Sequence, residues 1–166
     1  MASNFLEQLV AEWYQYQEYF VLTNIRVGRR ATGGHEGELD VVVAFNPVLG
    51  KLVHIETSMD ADSWEQREKR FKKKFETGEK HIHALFKGLP LPEHPERIAV
   101  FGLGSRKNHK TLGGGKVVML KDLLTEIIAE FKERTWFSDA VPEGFSILRT
   151  LQVATAYRKT IFKLPS

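Results

Sequence analysis

Two neighbouring β-type runs constrain this chain more than any other feature. In GELDVVVAF (37–45) Leu39, Val41, Val43 and Phe45 share one parity; in KLVHIETSM (51–59) Val53 and Ile55 share one, and His54, Glu56 and Ser58 take the other, which continues to Asp60. Side chains alternate across a strand, so each run has an apolar side and a side carrying polar groups. Asn46, Pro47 and Gly50 make a turn between the runs. They are therefore expected to pair as an antiparallel hairpin or meander, with Glu38, Asp40, His54 and Glu56 facing one way. Carboxylates crowded on one side repel each other and lose hydration, and a hard divalent cation relieves both costs.

The flanking segments predict a mixed α/β domain. Phe5, Leu9, Trp13, Tyr16 and Phe20 have helical spacing, giving a first helix from Asn4 to about Phe20, followed by a strand over VLTNIRVG (21–28). A long helix is expected from about Asp62 to Phe86, with Trp64, Phe71, Phe75, Ile82 and Leu85 on one stripe and Ser63 or Asp62 as cap. RIAVFGLG (97–104) and GGGKVVML (113–120) read as strands, LKDLLTEIIAEFKERTW (120–136) as an amphipathic helix, and Phe145 to Arg158 as a last one. The order α, three strands, α, two strands, α predicts a sheet covered by helices. With 166 residues, 42% of them hydrophobic, the chain is expected to bury one core as a single domain over 1–166.

The chain has no cysteine, which removes disulfides, thiolate zinc sites and a cysteine nucleophile from consideration. No leader or membrane span is legible, so a soluble, cytoplasmic protein without a membrane partner is expected. The net charge of +3 permits nucleic-acid binding, and its distribution says more. Basic clusters at RVGRR (26–30), REKRFKKK (67–74), SRKNHK (105–110) and YRKTIFK (157–163) flank acids at 36–40 and 56–68, the layout of a metal site beside a phosphate track.

The run GELDVVV, a turn and LVHIETS after a leading helix together resemble the PD-(D/E)XK nuclease superfamily, which includes restriction endonucleases and Holliday-junction resolvases. The resemblance covers about residues 4–105, leaving 106–166 as a C-terminal strand and helical extension. It implies an α-β-β-β-α-β restriction-endonuclease-like core with a mixed sheet. It also implies hydrolysis of DNA phosphodiesters, with Asp40, Glu56 and the carbonyl of Thr57 holding Mg²⁺ or Mn²⁺. A first-helix glutamate reaches the metal in some members; Glu12, at the edge of the apolar stripe, matches it better than Glu7 or Glu18. The family's lysine would stand at position 58, where this chain has Ser58. Arg67 and Lys74, on one border of the second helix, are the candidates to supply that cation: Arg67 by position, Lys74 by chemistry. Arg29, Arg30, Lys107 and Lys110 are candidates for holding the nucleic-acid backbone.

RNA is an open alternative substrate, and the exposed last helices suit a homodimer. The substitution at Ser58 keeps a second reading in play: a weakened nuclease-fold module that binds nucleic acid or protein. A third is a partner protein without nucleic-acid affinity. His81 and His83 on a helix diverge too far to share zinc, and GGGKVV lacks the hydroxyl residue a P-loop needs.

Overall fold

The computed structural model describes residues 5–39, 42–102 and 109–161. Met1–Leu120 and Lys121–Ser166 form two compact units. In the first, α1 (Phe5–Tyr16) leads into β1 (Phe20–Leu22), β2 (Ile25–Arg29), β3 (His35–Leu39), β4 (Val42–Asn46) and β5 (Lys51–Ser58). Then come α2 (Trp64–Leu85), β6 (Glu96–Phe101), β7 (Thr111–Leu112) and β8 (Gly115–Met119). A six-stranded sheet runs in the order β1-β4-β5-β6-β8-β7. It is parallel where β6 meets β5 and β8, and antiparallel elsewhere. The expected α/β class with a mixed sheet flanked by helices is what the chain adopts.

Both runs that open the sheet are divided. VLTNIRVG breaks at Asn24, whose φ of 53° is left-handed, a conformation asparagine tolerates better than most residues. Its halves part: β1 joins the sheet edge, whereas β2 pairs with β3 in a separate hairpin. The run 37–45 likewise gives β3 to the hairpin and β4 to the sheet. α1 stops at Tyr16 instead of near Phe20, because Glu18 turns left-handed at φ 65°; Phe20, expected on the buried stripe, is exposed in β1.

α2 is the longest element, and its start follows the predicted chemistry. Ser63 Oγ accepts from the Gln66 amide at 3.3 Å while Gln66 Oε1 accepts from the Ser63 amide at 3.2 Å, a reciprocal capping box. Phe71 and Phe75 pack with Ala99, Phe101, Leu112, Val117 and Met119, and Ile82 with Val27, Val43, Phe45 and Leu52. α2 thus covers one sheet face. α1, which contacts β1, β4 and β5, takes the other, where Ala44, Val53 and Ile55 are buried.

β5 is consequently buried on both sides, polar row included. That row meets α2 in step: Arg70 NH2 donates to Ser58 Oγ at 3.1 Å, Lys74 Nζ to Glu56 Oε2 at 3.0 Å, and the His54 ring lies over Gly78. Four helical residues rise about 6 Å and two strand residues about 6.6 Å, so the repeats stay matched over this length. Gly78 is what lets His54 in, since a Cβ there would lie 2.3 Å from Nδ1 and Cε1 of the ring. Gly78→Ala is therefore expected to destabilise the fold by roughly 1–3 kcal/mol in urea titrations, overpacking outweighing the helix-propensity gain of about 1 kcal/mol. A stabilised variant would mean that the ring does not occupy this space.

The second unit takes up α3 (Leu120–Lys132) from Lys121 on; this helix buries Leu123, Ile127 and Phe131 at helical spacing, and α4 (Ser146–Ala156) and α5 (Arg158–Ile161) follow. Buried Gln152 pins the preceding loop: its amide donates to the Asp139 carbonyl at 2.8 Å, and its Oε1 accepts from the Val141 amide at 2.9 Å. Among the described residues no helix is long and apolar enough to cross a membrane.

Candidate functional site

Glu56 sits at the middle of the polar row with its side chain fully buried. Its Oε1 lies 2.8 Å from His54 Nε2 and its Oε2 3.0 Å from Lys74 Nζ. A carboxylate only accepts, so Nε2 carries the hydrogen that His54 donates. His54 Nδ1 is buried without a hydrogen-bond partner among the described residues, and the ring is held edge-on to Phe75 at 5.0 Å. Two cationic or hydrogen-donating side chains therefore fix both oxygens of one buried acid.

One step along β5, Ser58 Oγ donates to Asp60 and accepts from Arg70, whose other nitrogen donates to Asp62 at 2.5 Å. Burial would raise the Asp60 carboxyl, but hydrogen bonds from Ser58, the Asp62 amide, Arg70 and Arg67 outweigh it and hold the group at about 2, below its ordinary 3.8. Arg67, 3% exposed, donates through Nε to Asp60 Oδ1 at 3.2 Å and through NH2 to the Asp60 carbonyl at 2.6 Å. Its guanidinium lies against both the Trp64 and Phe101 rings, 5.1 and 5.0 Å from their centroids. Of the two cations singled out on α2, Lys74 meets Glu56 and Arg67 clamps the loop after β5.

Beside Lys74 a cavity of about 240 Å³ opens between β3 and α2, lined by Glu36, Gly37, Arg70, Lys73, Lys74 and Thr77. The hairpin can approach because position 37 is glycine: a Cβ there would stand 2.9 Å from Thr77 Cγ2. Glu36 accepts from Lys80 at 3.0 Å and pairs with His81 at 3.0 Å; these hydrogen bonds, Lys80 first, lower its pKa. His83 instead meets the Pro92 carbonyl at 2.8 Å, so the two histidines do not converge, as helical geometry predicts.

The remaining candidates are dispersed. Asp40 and Lys107 lie outside the described residues. Thr57 is on β5 in register with Val100, its Oγ1 buried without a partner among the described residues. Glu12 is 4% exposed on α1, over the opposite sheet face from Glu56, with Oε1 accepting from Gln8 at 2.8 Å. Arg29 and Arg30 are exposed at the end of β2, and Lys110 is exposed before β7. In the β4–β5 register Val43 pairs with His54 and Phe45 with Leu52, so on β4 the apolar parity shares the face of Glu56; the orientation expected of Asp40 lies outside the described residues.

The donor set implied for Mg²⁺ or Mn²⁺ is not completed by the described residues: no group of three His, Asp or Glu side chains among them is placed to share an ion. Glu56 alone supplies a carboxylate on this face of β5, with both oxygens engaged. Searches against protein-family models, curated proteins and solved structures return no match for this chain.

Glu36, Arg70, Lys73 and Thr77 were not anticipated. A signal for them exists in the chain: Arg70, Lys74, Gly78 and Ile82 recur every fourth residue, and Leu52, His54, Glu56 and Ser58 every second. Two such rows of matching length and complementary chemistry announce a helix laid along a strand.

Proposed function

We propose that the chain is a metal-dependent endonuclease that hydrolyses DNA phosphodiesters at Glu56, with Lys74 supplying the cation that Ser58 does not. The supporting observation is the 3.0 Å contact between Lys74 Nζ and Glu56 Oε2, delivered from a helix that also presents Arg70 and Lys73 to the adjoining cavity. In this role Lys74 offsets charge developing on the phosphate, and His54 holds the Glu56 carboxylate in one orientation. The PD-(D/E)XK resemblance adds dependence on Mg²⁺ or Mn²⁺ through Asp40, a charge source that also makes bound water a stronger nucleophile.

A second reading draws on a different observation: both Glu56 oxygens are occupied and the group is fully buried, the state of a structural ion pair in a nucleic-acid-binding module. Supercoiled and branched DNA incubated with Mg²⁺ or Mn²⁺ separates the two. Parent protein is expected to cut, and Asp40→Ala, Glu56→Gln and Lys74→Met to fail with salt-dependent binding retained. Binding without cleavage by the parent under every metal condition supports the module; no salt-dependent binding at all removes both.

A further inference from the structure

We infer that the cavity between β3 and α2 is a binding site for a phosphomonoester, the phosphorylated end of a nucleic-acid strand. The inference rests on the proposed function for the identity of the strand, and on the cavity itself for the phosphate.

Among the described residues three cationic side chains and one carboxylate line the space. The carboxylate, Glu36, is already compensated by Lys80 and His81, so it repels an entering anion weakly. Arg70 and Lys74 line the space while held by Asp60, Asp62 and Ser58 on the one hand and Glu56 on the other, so they bring fixed donors whose charge is largely offset. Lys73 is different. It is exposed on α2, and its ammonium has no hydrogen-bond or ion-pair partner among the described residues. An anion is the missing counterpart.

Size and charge select the kind of anion. A cavity of about 240 Å³ takes a phosphate and part of its sugar but not a duplex. A phosphomonoester carries about −1.5 to −2 at neutral pH and three terminal oxygens, against one charge on a diester, so the unpaired Lys73 ammonium beside the Arg70 and Lys74 donors favours a strand end over its interior. Thr77, whose hydroxyl is turned back onto the Lys73 carbonyl at 2.9 Å, closes the wall with its methyl group instead of adding a donor. Lys74 touches both the cavity and Glu56, so an end phosphate seated here lies beside the proposed cleavage site.

The test is binding in EDTA at fixed ionic strength, read by fluorescence anisotropy. Short single-stranded oligonucleotides with a 5′-phosphate, a 3′-phosphate or two hydroxyl ends are compared. One phosphorylated end is expected to bind roughly tenfold tighter than the hydroxyl control, and inorganic phosphate to compete away that increment alone. Lys73→Glu and Lys73→Gln are expected to abolish the preference while leaving hydroxyl-ended binding within about twofold, and Lys73→Arg to keep it. Because Lys73 is exposed, thermal melts of these variants should match the parent, and Lys73→Gln serves if charge reversal disturbs the helix. Equal binding of phosphorylated and hydroxyl ends overturns the inference. So does a Lys73 variant that weakens both in the same ratio, the behaviour of a general phosphate track. Cleavage without end preference removes this inference and leaves the nuclease reading standing; end preference without cleavage does the reverse.

Discussion

Lys74→Met is expected to lower stability by about 3 kcal/mol, because it leaves the Glu56 carboxylate buried with one oxygen facing no cation. For a chain of this length that corresponds to a melting point lower by roughly 6–12 °C at neutral pH. The size follows from burial: Glu56 is fully buried and Lys74 is 22% exposed, so solvent screens the pair little on the acid's side. Glu56→Gln in the same chain is expected to restore most of the loss, since the amide removes the stranded charge while keeping a polar group for His54 Nε2. A double-mutant cycle on thermal melts measures the coupling directly. A Lys74→Met protein as stable as the parent, or losses that simply add, would show that the contact carries no energy and would weaken the site assignment with it.

Arg67→Met is expected to cost roughly 2–3 kcal/mol while leaving nucleic-acid affinity at the parental level. Its guanidinium bridges Asp60 and two aromatic rings and is shielded from solvent, the situation of a structural cation. The acid limb of the stability curve supplies a second readout. Asp60 is held at about 2 in the fold against an ordinary 3.8. A depressed carboxyl stabilises fully above its unfolded pKa and loses that contribution as pH falls through the folded one, so the parent should weaken between about pH 4 and pH 2. The amount is at most roughly 2 kcal/mol, trimmed by the partial exposure of Asp60. Arg67→Met should show a shallower limb, with Arg70 and Ser58 still in place. If this variant kept its stability and lost DNA binding, Arg67 and not Lys74 would be the site cation.

What the residues announced in advance depended on how local the cause was. The α2 stripe of Phe71, Phe75 and Ile82 and the Ser63 cap were legible because helical periodicity and capping act within a few residues. The break at Asn24 was not, since both flanks keep β-type composition and only pairing partners separate them. The parity argument holds within β5, whereas on β4 it is the apolar parity that meets the polar row. It equated the apolar side of each run with a single core, but β5 is central and has a core on both faces, so Val43 packs beside His54. Lys74 was readable as a border residue of the stripe; its choice of Glu56 over Asp60 required the helix and strand to be docked.

The in-step contact of α2 with β5 also constrains how such a sequence can drift. Ser58 with Arg70, Glu56 with Lys74, and His54 with Gly78 are each set by shape or charge across the seam. A change on one side leaves a clash or a stranded polar group until the other side answers. Divergent descendants of this chain should therefore exchange these residues as couples, and a histidine lost at 54 should release position 78 from glycine.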